Sequence, residues 1–351
     1  MLTDNRPRLA VTLGDPAGIG PEVAMRALAD AGLRSRARIA VFGPPLETWT
    51  RLAGQAPTFA VREAPLDDAA GEAAGDSTDD AANERDRQFE GVELLTRGPD
   101  LADLQVGRPS RLSGEAAVRY VLAAVDAARH GRVDGIVTAP ISKEAVRAAG
   151  YPWPGHTELL AEQFGAAEVA MMFAGGPLRI ILVTIHLSLL DAIRSLSVER
   201  IVRACRMGSE ALRRWFAVPL PRLGVCGLNP HASEAGQFGF EERETIGPAI
   251  EEARAAGMCV FGPLPPDTAF HQAMRGRFDL VVAMYHDQGL IPLKTVAMED
   301  SVNITVGLPI VRTSPDHGTA HDIAGRGQAD PRSMAAALRL AIEMIERDRR
   351  P

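Results

Sequence analysis

Short runs of apolar and often β-branched residues alternate along this chain with longer segments of helical periodicity. The apolar runs are RLAVTL (8–13), ARIAVFG (37–43), DGIVTA (134–139), RIILVTI (179–185), RLGVCGL (222–228), DLVVAMY (279–285) and VNITVG (302–307). The helical patterns cover residues 21–32, 113–131, 197–216, 241–257 and 331–348. Nearly continuous apolar runs are typical of strands that are covered on both faces of a sheet. The alternation therefore predicts an α/β fold with a largely parallel sheet.

Serine and glycine residues mark the ends of several predicted helices. Ser113 and Ser197 are suited to cap helix N-termini, and Gly131 and Gly257 are placed to end helices.

Residues 62–90 are rich in Asp, Glu, Ala and Gly and contain almost no large apolar residue before Phe89. This composition predicts a flexible, acidic surface loop.

Charge and cysteine content exclude several classes of protein. The formal net charge is −7 and Lys and Arg are scattered, which disfavours nucleic acid as a partner. No stretch has the length of a membrane span, and the N-terminal residues lack the apolar core of a signal peptide, so we expect a cytoplasmic protein without a membrane partner. The cysteines Cys205, Cys226 and Cys259 lie far apart in apolar surroundings and are predicted to be buried thiols.

Three histidines directly follow predicted strands: His186 in LVTIHLS, His231 in GLNPHAS and His286 in AMYHDQG. The carboxyl ends of parallel strands gather the ligand site of an α/β sheet, so these imidazoles are placed to converge. One such histidine alone is more often a hydrogen-bonded structural residue, whereas three at equivalent places favour a divalent metal site. Imidazole suits Zn, Co, Ni or Fe, while Mg prefers oxygen ligands.

Two cationic side chains in the C-terminal third lie between apolar residues. Lys294 follows IPL, Arg312 follows PIV, and Asn303 lies in the predicted strand between them. These three side chains favour a clamp for a phosphate or a carboxylate over a set of solvated surface groups.

Two glycine-rich stretches are candidates for binding an anion such as a phosphate. GDPAGIGPE (14–22) is neither G-x-G-x-x-G nor a Walker A motif, and it equally fits a tight turn in which proline opens a helix. DHGTAHDIAGRGQADP (316–331) ends at a predicted helix start, where backbone amides favour an anion. Its glycines permit close backbone approach, and His317 and Asp322 supply polar contacts, so this second stretch is the stronger candidate.

Seven segments, taken in order, resemble a known family. They are GDPAGIGPE, TAPISKE (138–144), GHTE (155–158), GLNPHASE (227–234), GPLPPDTAF (262–270), YHDQGLIPLK (285–294) and VNITVGLPIVRTSPDHGTAHDIAGRG (302–327). They are similar to the 4-hydroxythreonine-4-phosphate dehydrogenase family of pyridoxal phosphate biosynthesis. The resemblance implies the two-domain α/β fold of isocitrate and isopropylmalate dehydrogenases, with a largely parallel sheet and an inter-domain cleft. We expect a discontinuous domain of residues 1–140 and 300–351 that contributes to NAD binding, and a second domain, 141–299, with most metal ligands and the dimer interface.

The resemblance also implies a role for individual residues. The implied metal ligands are His186, His231 and His286, and the metal is Zn, Co or Mg. The implied substrate contacts are His156, Thr157, Lys294, Asn303 and Arg312. NAD would bind the HGTAHDIAGRG loop, which contains His317, Gly318, Asp322 and Gly325, although Arg326 could accept the 2′-phosphate of NADP. Candidates for the general base are Lys143, Asp267 and Asp287, of which Asp287 could instead support the ligand next to it. In this family the metal site forms across a homodimer interface, so each active site needs both chains.

The implied reaction is the metal-dependent oxidation of 4-hydroxythreonine 4-phosphate by NAD. Its 3-keto acid product decarboxylates to 3-amino-2-oxopropyl phosphate. Related enzymes oxidise D-erythronate or D-threonate 4-phosphate, and others oxidise cyclic dihydrodiols. The GHTE motif with Lys294 and Arg312 favours a phosphorylated substrate but does not separate hydroxythreonine phosphate from the sugar-acid phosphates. A phosphate acyltransferase of the same broad fold is disfavoured by the three histidines and HGTAHDIAG.

Overall fold

The structure, a computed structural model, describes residues 4–65 and 89–349. Its contacts divide the chain into two compact units. The first comprises Met1–Gly165 and Ile310–Ile345, and the second comprises Ala166–Pro309 and Glu346–Pro351. The sequence led us to expect boundaries after residues 140 and 299. The structure instead places residues 141–165 with the first unit and residues 300–309 with the second.

The first unit is a parallel sheet with helices between its strands. Numbered along the whole chain, its strands are β1 (Arg8–Thr12), β2 (Arg38–Gly43), β3 (Val61–Pro65), β4 (Val92–Thr96), β5 (Gly135–Thr138) and β12 (Val311–Pro315). Its helices are α1 (Gly20–Ala27), α2 (Ala31–Arg36), α3 (Leu46–Ala53), α4 (Arg111–Arg129), α5 (Lys143–Ala148), α6 (His156–Phe164) and most of α12 (Arg332–Asp348). The strand order is β3-β4-β2-β1-β5-β12, and the neighbours pair in parallel. All four residues of β5 are buried, as the apolar run DGIVTA predicts.

The helix ends lie where capping residues occur in the sequence, and one N-cap differs from the predicted residue. Helix α4 is capped by Ser110, not by Ser113. The Ser110 hydroxyl accepts a hydrogen bond from the Ser113 amide (3.2 Å), and the Ser113 hydroxyl accepts one from the Ser110 amide (3.0 Å). Ser197 is confirmed as an N-cap. Gly131 (φ +67°) and Gly257 (φ +82°) follow helix ends in the left-handed region, as predicted.

The acidic segment 62–90 begins as a strand, so the loop prediction is wrong for its first residues. Val61–Pro65 forms β3, which pairs in parallel with β4. Residues 66–88, which form most of the predicted loop 62–90, lie outside the described residues.

The second unit has a mixed sheet. Its strands are β6 (Ala170–Gly175), β7 (Leu178–Leu182), β8 (Arg222–Cys226), β9 (Cys259–Leu264), β10 (Leu280–Ala283) and β11 (Val302–Val306). Its helices are α7 (Leu189–Arg194), α8 (Val198–Phe216), α9 (Gly247–Ala255, preceded by a π-helical turn at Glu242–Ile246), α10 (Pro266–Met274) and α11 (His286–Ala297). The order is β11-β6-β7-β10-β8-β9. Strand β6 is antiparallel to both of its neighbours, and the other pairs are parallel. Strands β6 and β7 are joined by a tight turn with Gly176 at φ +52°, which requires an antiparallel pair.

The sequence prediction missed helix α11, because it contains Gly289 and Pro292, which are unfavourable inside a helix. The helix buries Leu290 and Leu293 on one face, against a core that contains Phe173, Ile180 and Val281. It begins at His286, with Tyr285 as its N-cap, two residues after the end of β10.

Two of the three cysteines are buried as predicted. Burial raises the pKa of Cys205 and that of Cys226 to about 12. Cys259 lies on strand β9 with its side chain exposed, so the prediction is wrong there. In the described part of the chain, no helix is long and apolar enough to cross a membrane.

Candidate active site

A pair of imidazoles lies at the carboxyl ends of two adjacent parallel strands of the second unit. Strands β7 and β10 pair in parallel, and His186 and His286 follow them with ring centroids 6.1 Å apart. The two rings line a cavity of about 250 Å³. Its lining residues are Thr184, Ile185, His186, Leu187, Leu189, Ala192, Tyr285, His286 and Asp287. Two neighbouring imidazoles that line one cavity are side chains of the kind that would hold a divalent metal ion.

Asp287 orients one ring of this pair. Its carboxylate oxygen lies 2.7 Å from Nδ1 of His286. With the carboxylate ionised, Nδ1 carries the proton, and the lone pair of Nε2 is left for a ligand. This geometry matches the supporting role that the sequence left open for Asp287.

His231 lies in an unusual backbone turn after β8. His231 and the next four residues, up to Ala235, all have positive φ values between 45° and 66°, and none of them is glycine. The left-handed conformation costs about 1–2 kcal/mol for each such residue. Strain of this kind persists only where the surroundings impose it, and it clusters at functional sites.

Glu242 is one of the groups that hold this segment. Its buried carboxylate accepts hydrogen bonds from the amide of Leu228 (2.7 Å), the amide of Asn229 (2.7 Å) and the Asn229 side chain (2.9 Å). Burial opposes ionisation, but the bonds from Asn229 and Leu228 outweigh it and hold the pKa of Glu242 below its usual value.

The three candidate metal ligands do not meet within one chain. Across residues 4–65 and 89–349, no group of three or more His, Cys, Asp or Glu side chains is arranged to hold a metal ion. His231 is exposed and its ring packs near Phe238, with centroids 6.4 Å apart. The structure thus brings together His186 and His286 and leaves His231 apart.

A buried cation and a neutral imidazole mark a second site, in the first unit. Arg312 on β12 is 2% exposed and donates from Nη2 to the Thr138 hydroxyl on β5 at 2.7 Å. Burial lowers its pKa to about 10, and the charge of Glu158 opposes that shift. Burial, and then the charge of Arg312, holds the pKa of His156 well below its usual value. Arg312 is therefore not a solvated surface charge.

The same region carries the first turn of helix α6. The helix begins at His156, Thr157 follows, and Gly155 is the N-cap without a side-chain cap. The buried Nε2 atom of His156 has no hydrogen-bond partner. Helix N-termini favour anions, because their first amides point outward with partial positive charge. A guanidinium, a helix N-terminus and an unsatisfied imidazole nitrogen together suit a phosphate.

The other predicted site residues are divided between the two units. Lys294 is half-buried on α11, and Asn303 on β11 has a buried Oδ1 atom without a hydrogen-bond partner. Asp267 is exposed in the first turn of α10, and Lys143 is exposed at the start of α5. Lys294, Asn303 and Asp267 belong to the second unit, whereas Lys143 belongs to the first with Arg312.

The two glycine-rich stretches pack against each other within the first unit. The Ile19 amide donates to the Thr319 carbonyl at 2.9 Å, and a Cβ atom at Gly18 would lie 2.7 Å from that oxygen. Buried Asp15 lies 3.2 Å from Nε2 of His321, whose Nδ1 is 3.2 Å from the Thr319 hydroxyl. Sequence reasoning missed both Asp15 and His321. The one available signal was an acid directly after the glycine that follows a predicted strand.

The residues predicted to contact the cofactor lie in this second stretch. Nδ1 of His317 is 3.0 Å from the Gly318 carbonyl, and its buried Nε2 has no hydrogen-bond partner. Asp322 is exposed, and Gly325 has a φ of +70°. The loop therefore presents an unsatisfied imidazole nitrogen and an exposed carboxylate.

Comparison with known proteins identifies the family of this chain and agrees with its α/β fold. The family model described as "Pyridoxal phosphate biosynthetic protein PdxA" matches residues 54–341. The chain belongs to this family, which confirms the resemblance found in its motifs.

Named relatives cover nearly the whole chain. D-threonate 4-phosphate dehydrogenase of Cupriavidus necator is 45% identical over 99% of this chain and 99% of the relative. 4-Hydroxythreonine-4-phosphate dehydrogenase of Beijerinckia indica is 47% identical over 96% of this chain and 94% of the relative. The crystal structure of 4-hydroxythreonine-4-phosphate dehydrogenase from Klebsiella pneumoniae is 39% identical, covers 97% of this chain and 98% of that chain, and has a TM-score of 0.82. These relatives are dehydrogenases, so the chain is an oxidoreductase of this family and not an acyltransferase.

Proposed function

We propose that this protein oxidises 4-hydroxythreonine 4-phosphate with NAD in pyridoxal phosphate biosynthesis. The secondary alcohol at C3 loses a hydride to NAD and a proton to a base. The resulting 3-keto acid loses CO2 and becomes 3-amino-2-oxopropyl phosphate. The observation that supports this proposal is the candidate anion site of Arg312, His156 and helix α6, because it suits the phosphate of this substrate.

The anion site would hold the substrate by its phosphate. With a pKa of about 10, Arg312 stays protonated at neutral pH, and its bond to Thr138 fixes the plane of the guanidinium. Neutral His156 can donate its Nε2 proton to a phosphate oxygen without adding a second buried charge. Thr157 and the first amides of α6 complete the phosphate contacts, and we assign Lys294 and Asn303 to other polar groups of the substrate.

The histidine pair suits a divalent metal ion, with Zn or Co favoured by the imidazole ligands and Mg the oxygen-preferring alternative. His186 and His286 would supply two ligands from one chain, and Asp287 would keep Nε2 of His286 free. His231 would supply the third from the other subunit of a homodimer, since it does not join the pair in its own chain. A metal ion bound there would act as a Lewis acid on the substrate's alcohol and on the keto group formed from it.

The glycine-rich stretch from His317 to Gly325 is our candidate for the NAD site. His317 offers its unsatisfied Nε2, Gly318 permits close approach, and Asp322 is exposed for a ribose hydroxyl. For the general base, Lys143 and Asp267 are the stronger candidates, because Asp287 is already bonded to His286.

A second candidate substrate is D-threonate 4-phosphate. The Cupriavidus necator relative with this name matches 99% of the chain at 45% identity. The two substrates share the phosphate, the carboxylate and the C3 alcohol, and they differ in bearing an amino group or a hydroxyl at C2. The anion site serves both equally, so only the contacts to C2 can separate them.

A direct test follows nucleotide reduction with each substrate, in the presence of NAD or NADP and a divalent metal. We expect the highest kcat/KM with 4-hydroxythreonine 4-phosphate and NAD, and no reduction after chelation. A higher kcat/KM with D-threonate 4-phosphate would establish the second candidate. Equal turnover of unphosphorylated 4-hydroxythreonine would contradict the role of the anion site.

A further inference from the structure

The three strand ends that precede the candidate metal ligands are linked by buried side chains. Thr184, two residues before His186, donates from its hydroxyl to the carbonyl of Met284 at 2.8 Å. Met284 in turn lies two residues before His286. Thr184 and Met284 are both buried, so this bond ties the end of β7 to the end of β10 without water.

Gln288 extends the link from β10 to β8. It lies in the first turn of α11 and is 7% exposed. Its Oε1 atom accepts from the Met284 amide at 2.7 Å, and its Nε2 atom donates to the Gly227 carbonyl at 2.8 Å. Among the side chains of this length, only an amide both accepts and donates in this way at neutral pH.

Glu242 continues the link toward His231. Its carboxylate binds the amides of Leu228 and Asn229, which directly follow the Gly227 carbonyl held by Gln288. The chain of bonds therefore runs from the residues before His186, past those before His286, to those before His231. Leaving any of these buried polar groups unpaired is unfavourable, so the bonds resist small displacements of the strand ends.

We propose that Thr184, Gln288 and Glu242 are positioning residues for the metal ligands that the three strand ends carry. They act through the backbone, and this inference rests on the proposed metal site. Supporting groups of this kind change metal affinity by about 10- to 100-fold when they are removed. A purely structural role would lower stability but leave the metal affinity of the folded protein unchanged.

Four variants of the full-length protein separate these roles. Thr184→Val removes the hydroxyl at nearly constant volume, and Thr184→Ser restores it. Gln288→Met removes both hydrogen bonds at similar length. Gln272→Met is the matched control, since Gln272 is a half-buried glutamine on α10 of the same unit whose side chain contacts Thr268 at 3.5 Å and leaves its Oε1 atom without a partner. Each metal-free protein is titrated with Co²⁺, with the dissociation constant and the visible absorption spectrum as readouts. Circular dichroism fixes a temperature at which all variants are folded.

We expect Thr184→Val and Gln288→Met to bind Co²⁺ about 10- to 100-fold more weakly and with an altered spectrum. Thr184→Ser and Gln272→Met should match the parent in both readouts. If folded Thr184→Val and Gln288→Met also match the parent, the positioning role is wrong while the metal site stands. An equal loss in Gln272→Met would likewise overturn it. A parent protein that binds no Co²⁺ would instead remove the proposed metal site itself. Should Gln288→Met fail to fold, Thr184→Val and its serine partner decide the question alone.

Discussion

The anion site of the first unit and the histidine pair of the second differ in how complete they are within one chain. Arg312, Thr138 and His156 come from two strands and a helix of a single unit, and burial lowers the pKa of both Arg312 and His156. The histidine pair brings two candidate ligands together, and the third candidate, His231, lies apart in a strained turn. A site that binds a fixed dianion gains from being preorganised in one chain. A site completed by another subunit instead couples metal binding to assembly.

Subunit complementation tests whether the metal site needs two chains, and it should give the largest effect. Because His186 and His286 lie together in one chain, mixed His186→Ala and His286→Ala chains should give no activity. Mixing His231→Ala with His286→Ala chains should restore about one quarter of the parent's activity, since half of the randomly formed dimers would carry one intact site. The measurement is kcat per chain after subunit exchange has been shown with labelled protein. Activity from the first mixture, or none from the second, contradicts our assignment of the ligands to subunits.

The next largest effect should come from Arg312→Met. Loss of a buried guanidinium that contacts a phosphate should lower kcat/KM on the order of 100-fold or more. Arg119→Met is the control, because Arg119 forms an exposed ion pair with Glu115 and should change the rate by less than about twofold. Activity on an unphosphorylated substrate should be the same in Arg312→Met and the parent. An equal loss on both substrates would show a structural effect instead of phosphate recognition.

Asp15→Asn tests the packing of the two glycine-rich stretches. A charge-assisted hydrogen bond contributes about 1.5–3 kcal/mol, and its loss at His321 should loosen the candidate NAD loop. We expect KM for NAD to rise roughly tenfold, with KM for the phosphorylated substrate little changed. Steady-state kinetics with each substrate varied in turn checks this split. A rise confined to the phosphorylated substrate would place Asp15 at the anion site.

The smallest expected effect is a pH dependence of stability from His156. Its pKa in the folded protein lies well below the usual value of 6.5, so the unfolded chain binds a proton that the folded protein does not. The contribution of His156 to stability is therefore present above pH 6.5 and decreases as the pH falls below it. Urea unfolding of the parent and of His156→Asn at several pH values measures the effect. The parent should lose more stability on acidification, and identical pH profiles would contradict the neutral, buried ring.

Much of this molecule follows from its sequence alone. Apolar runs such as DGIVTA identified strands, because a parallel strand buried on both faces has no polar side to interrupt it. The motifs identified the family, since each is a short run of residues that are neighbours in the sequence. The sequence also placed His186 and His286 directly after strands, where the alternation of strands and helices predicted a ligand edge.

Tertiary structure decided the rest, because it depends on contacts between residues distant along the chain. The antiparallel β6 went unrecognised, since a strand's direction depends on which neighbours it pairs with. Only the folded chain shows that Arg312 meets Thr138 across 174 positions, or that Asp15 meets His321 across 306. Only the packing shows that His231 stays apart from the other two histidines, because the path of its turn depends on the surroundings that hold it. The order of the residues determines local features such as strands and site motifs. The burial of side chains and the meeting of distant residues, which set charge and reactivity, exist only once the chain is folded.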